Sequence, residues 1–210
     1  MNWNPLFQNY LAAWKQVLPE NPYREHDQQT IAAMKSLQQK CSHDKYSRNN
    51  FEPGHATGSI LIIDPAMENY LLCHHKKLDK WLQLGGHCDG EYDPSKTALK
   101  EAQEESGSNF IRLGQWEWLA DLQGDMLIDM DIHEIPPYKN DPGHKHFDFR
   151  FLAVCDQPET VECSHESNEL KWFPFHKKND LIQEESLARL IAKTALIKEH
   201  GEQLPTDWII

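Results

Sequence analysis

Long hydrophobic runs and an excess of positive charge are both missing from this chain of 210 residues. No apolar stretch approaches the roughly 20 residues that a membrane-spanning helix needs. The first residues have neither the basic segment nor the apolar core of a secretion signal, so we expect no export. Lys and Arg number 21 against 33 Asp and Glu, and the formal net charge is −12. Because this charge is repelled by nucleic-acid backbones and anionic membranes, we expect neither as a partner.

Cysteine is also scarce. The chain has five cysteines, an odd number, scattered and without a C-x-x-C pair. This pattern is typical of reduced thiols. We therefore expect a cytoplasmic protein with free thiols.

The polar segment at residues 45–50 divides the chain into a helical extension, residues 1–50, and a domain over residues 51–210. Apolar residues recur at helical spacing in residues 6–18 and 31–41, which predicts two amphipathic helices. Their apolar stripes are expected to pack on the domain or on a second subunit, so a homodimer is left open.

The domain alternates strand and helix patterns. A continuous apolar run at residues 58–65 predicts a buried strand, and residues 70–75 fit its hairpin partner. A helix is expected to close the chain from residue 179. Further strand patterns occupy residues 116–120, 126–132, 147–154 and 170–173. This order predicts an α/β fold in which a mixed sheet lies between helices.

Residues 85–107 read as a glycine turn, a loop and a short helix. Asp93 is a good N-cap and Pro94 a good first helical residue, so the helix should begin there. Gly107 suits the left-handed residue that ends many helices. The sequence therefore predicts a helix that starts at Pro94 and stops just before Gly107.

Three acidic residues of that helix, Glu101, Glu104 and Glu105, share one face because they are spaced i, i+3 and i+4. Carboxylates this close repel one another, and ordering them without a counter-ion is costly. Mg²⁺ or Mn²⁺ removes that cost, since both ions take oxygen ligands and keep open positions. The alternative is a solvated acidic helix face.

The same residues resemble the Nudix box, whose pattern is G-x5-E-x7-R-E-U-x-E-E-x-G-U with U a bulky aliphatic residue. The first glycine, the three acids and the last glycine all match, at Gly86, Glu101, Glu104, Glu105 and Gly107. The likeness extends over residues 52–175, where the sequence is similar to a bacterial Nudix subgroup of undefined substrate.

The resemblance has departures. Tyr92 stands where the box has its first glutamate, and Lys100 stands where it has arginine; Ala102 and Ser108 replace the two aliphatic residues. In the family, that arginine pairs with the loop glutamate and braces the turn. A lysine can act there only as a point charge, without the forked geometry of a guanidinium.

The resemblance implies the α/β/α sandwich of Nudix proteins and hydrolysis of a nucleoside diphosphate linked to another group. It implies a small-molecule diphosphate substrate and Mg²⁺ or Mn²⁺ as the cofactor. The implied metal ligands are Glu101, Glu104, Glu105 and the carbonyl of Gly86. Glu101 and Glu105 are expected to be the most direct ligands, and Glu104 is either a third ligand or the general base.

A further acid outside the box often acts as base in this family, and Glu166 and Glu169 are the candidates because they lie just before a strand. Lys100, His87, His144 and His146 are candidates for contacts with the substrate. His87 is also a candidate for a second metal. His133, His144, His146 and Asp148 have residue types found at transition-metal sites. Hydrogen-bonded or merely exposed histidines are the alternative.

Other functions stay open at this stage. A Nudix fold can serve as a ligand sensor without hydrolysis, or the N-terminal helices can serve an interaction protein. An isomerase of isoprenoid diphosphates shares the fold in outline and needs a catalytic cysteine, for which Cys88 is the one residue near the loop. No motif in the sequence selects a particular substrate.

Overall fold

The computed structural model describes residues 2–40, 44–116, 124–165 and 167–200. Most of the strand expected at residues 116–120, and the candidate base Glu166, fall outside these residues.

Within the described residues, four helices and eight strands follow one another. The helices are α1 (Asn4–Val17), α2 (Arg24–Lys40), α3 (Pro94–Ser106) and α4 (Glu185–His200). The strands are β1 (Gly54–Ile63), β2 (Asn69–His75), β3 (Lys80–Leu82), β4 (Leu84–His87), β5 (Ile111–Leu113), β6 (Leu127–Ile135), β7 (His144–Cys155) and β8 (Ser167–Pro174). None of these helices is both long and apolar enough to cross a bilayer.

All eight strands belong to one mixed sheet built around the parallel pair β1 and β7. The register runs from Gly54 opposite Lys145 to Ile63 opposite Val154. β2 and β4 pair with β1, β5 and β6 pair with β7, and β3 and β8 pair with β2, all antiparallel. The predicted mixed sheet is therefore confirmed.

The first strand begins four residues earlier than its apolar run predicts. β1 starts at Gly54, and its polar residues His55, Thr57 and Ser59 are as buried as the isoleucines that follow. The sequence pattern missed this half of the strand because its alternating polar residues are a signal of exposure in most strands. Here they face the polar side of the sheet, where the histidines described below meet.

Helices cover both faces of the sheet. On one face α3 approaches β1 so closely that a Cβ added to Gly58 would lie 2.2 Å from the carbonyl oxygen of Pro94. On the opposite face Arg150 of β7 contacts α4, where its Nη1 donates to the carbonyl oxygen of Ser186 at 3.1 Å. Since side chains alternate across a strand, the two helices lie on opposite sides, and the predicted α/β/α sandwich is confirmed.

The two predicted N-terminal helices are present and share the core of the sheet. Trp3 is fully buried, with its ring centroid 5.6 Å from that of Phe147 and 5.1 Å from that of Phe149. The indole Nε1 of Trp14 donates to the carbonyl oxygen of Ile128 at 3.2 Å. The apolar stripes were expected to pack on the domain or on a second subunit, and the structure shows them packed on the sheet of the domain. The boundary at residue 50 and a homodimer stay predictions.

A buried ionic network joins both N-terminal helices to β6 and α4. The ammonium of Lys193 is fully buried and lies 2.6 Å from the Tyr10 hydroxyl, 2.6 Å from Asp27 Oδ1 and 2.7 Å from Asp129 Oδ1. Burial alone would raise the pKa of Asp129, but the positive charges of Lys193 and two arginines hold it below its ordinary value. The network therefore attaches the helical extension to the sheet through buried ion pairs.

Candidate functional site

The acidic helix forms as its sequence predicts. The Asp93 carboxylate accepts a hydrogen bond from the backbone N–H of Ser95 at 3.1 Å, and Pro94 is the first helical residue. At the other end Gly107 has a φ of 64°, the left-handed conformation that glycine adopts without strain. The predicted bounds of this helix are confirmed, and they fix the direction in which its carboxylates point.

Two of the three acids lie against the glycine turn. Glu105 Oε1 accepts a hydrogen bond from the backbone N–H of Gly85 at 3.3 Å. A Cβ added to Gly86 would lie 2.6 Å from Glu101 Cδ and 2.8 Å from Glu101 Oε2. The missing side chain of Gly86 is therefore the space that the Glu101 carboxylate uses. The structure brings together Glu101, Glu105 and the backbone of residues 85–86.

The third acid points further into solvent. The side chain of Glu104 is 58% exposed, against 22% for Glu101. The Lys100 ammonium lies 3.4 Å from Glu104 Oε2 and 3.8 Å from Glu101 Oε1. Among the described residues, two other groups have all their potential ligand atoms within 4.8 Å of one another, and the three glutamates are not such a group. Glu104 would have to rotate to join the other two.

The loop between β4 and α3 is held by residues that precede β1. Arg48 forms a two-pronged ion pair with Asp89, with Nε 2.6 Å from Oδ1 and a second contact from Nη2 to Oδ2. The hydrogen bond from Arg48 lowers the pKa of Asp89. The carbonyl oxygen of Tyr46 accepts from Gly90 N–H at 3.0 Å, and its ring contacts Tyr92 at 5.2 Å. This loop thus has a guanidinium brace, which comes from a part of the chain that sequence reasoning did not connect to it.

An open groove of about 500 Å³ runs between this loop and the first turns of α3. Lys96, Lys100 and Glu101 lie along its helix side, and residues 87–91 along its loop side. Two lysine ammonium groups give this part of the groove positive charge, which attracts anions. The groove therefore suits an anionic ligand such as a phosphate.

Histidines converge on the polar face of the sheet, beside the glycine turn. The ring centroids of His55, His87 and His146 are 4.7 to 5.1 Å apart. Burial first, and then repulsion from nearby groups that can carry positive charge, lowers the pKa of His87 to about 4 and that of His146 to about 2. The pKa of His55 is lowered too, again by burial first. All three imidazoles are therefore neutral at neutral pH.

Two further predicted histidines flank this group. The Nε2 of His144 lies 3.3 Å from the Nε2 of His146, while its Nδ1 lies 2.9 Å from the carbonyl oxygen of Pro142. His133 lies on β6 with its ring centroid 5.3 Å from that of His146 and its Nδ1 3.3 Å from Asp131 Oδ2. Each of these flanking rings is thus oriented by an oxygen acceptor.

Asp148, expected among the same ligands, has other partners. Its carboxylate accepts hydrogen bonds from Thr57 Oγ1 at 2.9 Å, Ser59 Oγ at 2.6 Å and Arg150 Nε at 2.8 Å. His55 takes its place in the group, because His55 and His146 are neighbours in the parallel register of β1 and β7. The one signal for His55 in the sequence is its spacing of two and four residues from Thr57 and Ser59.

The remaining candidates lie apart or are chemically unsuited. Glu169 is exposed on β8, where its Cα partner is His74. The loop before β8 runs beside the end of α3, since Ser164 N–H donates to the carbonyl oxygen of Glu105 at 3.2 Å. Cys88 is buried, and burial raises the pKa of its thiol to about 12. A thiol that stays protonated is a poor nucleophile or acid, which disfavours the isomerase alternative.

The comparisons with known proteins agree on one family. The model of the NUDIX domain matches residues 53–193. A curated relative, a probable DHNTP pyrophosphohydrolase of Lactococcus lactis subsp. cremoris, is 32% identical over 85 residues, which are 40% of this chain and 46% of the relative. The chain thus spans about half the length of that relative.

Solved structures give the same fold. A hydrolase of the NUDIX family from Clostridium perfringens has a TM-score of 0.53 and 28% identity, over 68% of this chain and 97% of that one. The binary complex of a C. elegans Ap4A hydrolase has a TM-score of 0.51 and 16% identity, over 69% of this chain and 97% of that one. The second likeness shows the fold alone.

Proposed function

Because the chain belongs to the NUDIX domain family, we propose that it is a metal-dependent pyrophosphohydrolase. Its substrate would be a nucleoside diphosphate linked to another moiety, or a related small diphosphate, cleaved by attack of water on phosphorus. The curated relative named above, a probable DHNTP pyrophosphohydrolase, supports this substrate class. We further propose a cytoplasmic enzyme that acts without nucleic acid or membrane, in keeping with its net charge of −12.

The donor set at the glycine turn fits Mg²⁺ or Mn²⁺. Glu101 and Glu105 would supply carboxylate oxygens, and the carbonyl of Gly86, the residue against which Glu101 lies, would supply a third hard donor. When bound there, such an ion would neutralise phosphate oxygens and lower the pKa of a water molecule. Two carboxylates that lie against the same glycine turn repel each other unless a cation neutralises them.

The protein's own groups account for substrate capture. The Lys96 and Lys100 ammoniums line the groove and attract the anionic diphosphate. The Arg48–Asp89 pair keeps the loop in place, so the floor of the groove is set before the substrate arrives. Substrate contacts from His87, His144 and His146 belong to the same proposal, although only His87 lines the groove itself.

The position of Glu104 is compatible with two roles, a third metal ligand or the general base. Its exposed carboxylate is salt-bridged to Lys100, so it can rotate inward as a third ligand or stay outside and accept a proton from water. Glu166 and Glu169 remain the proposed alternatives for the base. A Glu104→Gln variant separates the two forms. Loss of Mn²⁺ affinity marks a ligand, whereas a lower kcat with unchanged Mn²⁺ affinity marks the base.

The observation that carries the proposal is the placement of Glu101 and Glu105 on the Gly85–Gly86 backbone. The test is a panel of nucleoside diphosphate derivatives assayed with Mg²⁺ or Mn²⁺, with phosphate measured after phosphatase coupling. We expect turnover of at least one substrate, and a loss of about a hundredfold or more in kcat for Glu105→Gln or Glu101→Gln, on the order of removing one group that stabilises transition-state charge.

A matched control is Glu199→Gln, the same chemical change on an exposed residue of α4, which should keep full activity. If the protein binds nucleotides but turns over none of the diphosphates, the proposed enzymatic function is wrong and a ligand sensor is favoured. Equal activity of the Glu105→Gln and Glu199→Gln variants would remove the glutamates from the mechanism.

A further inference from the structure

A second group of potential metal ligands lies on the other side of β4 from the glutamates. His55 on β1, His87 on β4 and His146 on β7 each offer one ring nitrogen, and these atoms lie within 4.8 Å of one another. The sheet register creates the group, because His55 is opposite His146 and Thr57 is opposite His87. We propose that His55, His87 and His146 bind one transition-metal ion of the Zn²⁺ class, distinct from the cation held by the glutamates.

The ring of His55 is oriented as a metal-bound imidazole is. It is 1% exposed, and its Nδ1 lies 3.0 Å from the carbonyl oxygen of Asn50, so Nδ1 carries the proton. Its Nε2 is buried and has no hydrogen-bond partner among the described residues. A buried polar nitrogen left unpaired is costly, and a metal ion is the partner that a histidine with a bonded Nδ1 commonly serves.

The neighbouring His144 extends the same arrangement. Its Nδ1 lies 2.9 Å from the Pro142 carbonyl oxygen, so its Nε2 carries the lone pair that faces His146 Nε2 at 3.3 Å. His144 is not in the group of three histidines whose ligand atoms all lie within 4.8 Å of one another. Its imidazole therefore lies beside the three proposed ligands and contacts the site through His146.

A comparison within the same molecule supports a cation here. The other group of close ligand atoms, His26, Asp27 and Asp129, already contains the Lys193 ammonium, 2.6 Å from Asp27 and 2.7 Å from Asp129. No ammonium or guanidinium is hydrogen-bonded to the three imidazoles among the described residues. One cluster of ligands is thus served by a side chain, and the other is left for an ion from outside.

The ligand type decides the metal, and the groove provides access. Imidazole nitrogens favour Zn²⁺, Co²⁺ or Ni²⁺, whereas Mg²⁺ favours the oxygens of the glutamate site. His87 follows Gly86 directly in β4 and is one of the residues that line the groove of about 500 Å³. His87 and His146 are both partly exposed. An ion can therefore reach the imidazoles from solvent without unfolding of the sheet.

The test uses the full chain without a histidine tag, freed of metal by a chelator and titrated with Co²⁺. We expect one equivalent of Co²⁺ with the visible absorption of a four- or five-coordinate nitrogen site, and displacement of that absorption by Zn²⁺. His146→Gln and His87→Gln should each weaken Co²⁺ binding by about tenfold or more. His176→Gln, an exposed histidine after β8, should leave the binding unchanged.

A double variant, Glu101→Gln with Glu105→Gln, separates this site from the proposed hydrolytic cation. It should keep the Co²⁺ absorption while Mn²⁺ binding is lost. Circular dichroism checks the fold of each variant. If His146→Gln is unfolded, Co²⁺ binding by His87→Gln tests the proposal, because His87 is only half-buried. The proposal is overturned if the native chain gives no such absorption, or if the double variant abolishes it while the histidine variants do not.

Discussion

Replacing Gly86 by alanine should disable the glutamate site while leaving the fold intact. The added Cβ would lie 2.6 Å from Glu101 Cδ and 2.8 Å from Glu101 Oε2, closer than unbonded atoms approach. The clashing atoms are the end of a flexible side chain, so the carboxylate can swing aside without moving the backbone. We therefore expect a change in the free energy of unfolding within about 1 kcal/mol.

The same swing takes the Glu101 carboxylate away from the metal position. A displacement of about 1 Å at a reacting centre costs about a hundredfold in rate, so kcat should fall by about that factor, with a matching loss of Mn²⁺ affinity. Urea unfolding, Mn²⁺ titration and the diphosphate assay measure the three quantities on one preparation.

Gly58→Ala is the matched contrast, because Gly58 is the Cα partner of Gly86 across β1 and β4. Its Cβ would lie 2.2 Å from the backbone oxygen of Pro94, which cannot rotate away. That variant should lose about 3 kcal/mol or more of stability, at the upper end of the cost of overpacking. Native Mn²⁺ affinity of Gly86→Ala, or a loss of stability as large as that of Gly58→Ala, would contradict this prediction.

Three further predictions concern the charged and aromatic anchors of the helical extension. Lys193→Met leaves Asp27 and Asp129 buried without their ammonium and should cost about 3–5 kcal/mol in urea unfolding; the exposed Lys198→Met should cost almost nothing, and equal losses would contradict the network. Because the folded-state pKa of Asp129 is lowered, its contribution is complete above about pH 5 and is lost as the pH falls from about 4 through that lower pKa. Acid titration of stability should therefore be shallower for Asp129→Asn, and an unchanged slope would reject this assignment. Trp3→Ala should cost about 3–5 kcal/mol by opening a core cavity, whereas a loss below about 1 kcal/mol would mean that the extension packs loosely.

The sequence predicted correctly the part of the site that depends on residues close to one another in the chain, which is helix α3 with its glutamates. The bounds of α3 follow from Asp93, Pro94 and Gly107, which act on backbone groups a few residues away. The direction of Glu101 and Glu105 then follows from helical spacing alone. The short strand β5 (Ile111–Leu113) escaped prediction because three residues carry too little alternation to be recognised.

Contacts between residues that are far apart in the sequence could not be predicted. His55 meets His146 across 91 residues of chain, and neither has a sequence signal for the other. The Arg48–Asp89 brace joins residues that are 41 apart in the sequence, and the contact of Lys193 with Asp27 joins residues that are 166 apart. Asp148 was expected beside the histidines, but Thr57 and Ser59 become its partners once β1 and β7 are aligned. Strand register decides the contacts of the histidines and Asp148, and the packing of helices and loops decides the other two; one sequence reveals neither.

Anomalous diffraction from a crystal of the native chain soaked in Mn²⁺ would show directly whether the glutamates and the glycine turn hold a cation. We expect a peak bonded to carboxylate oxygens of Glu101 and Glu105 and to the carbonyl oxygen of Gly86. The claim is contradicted if full soaking gives no peak at those oxygens, or if the peak persists unchanged in crystals of the Glu101→Gln, Glu105→Gln double variant.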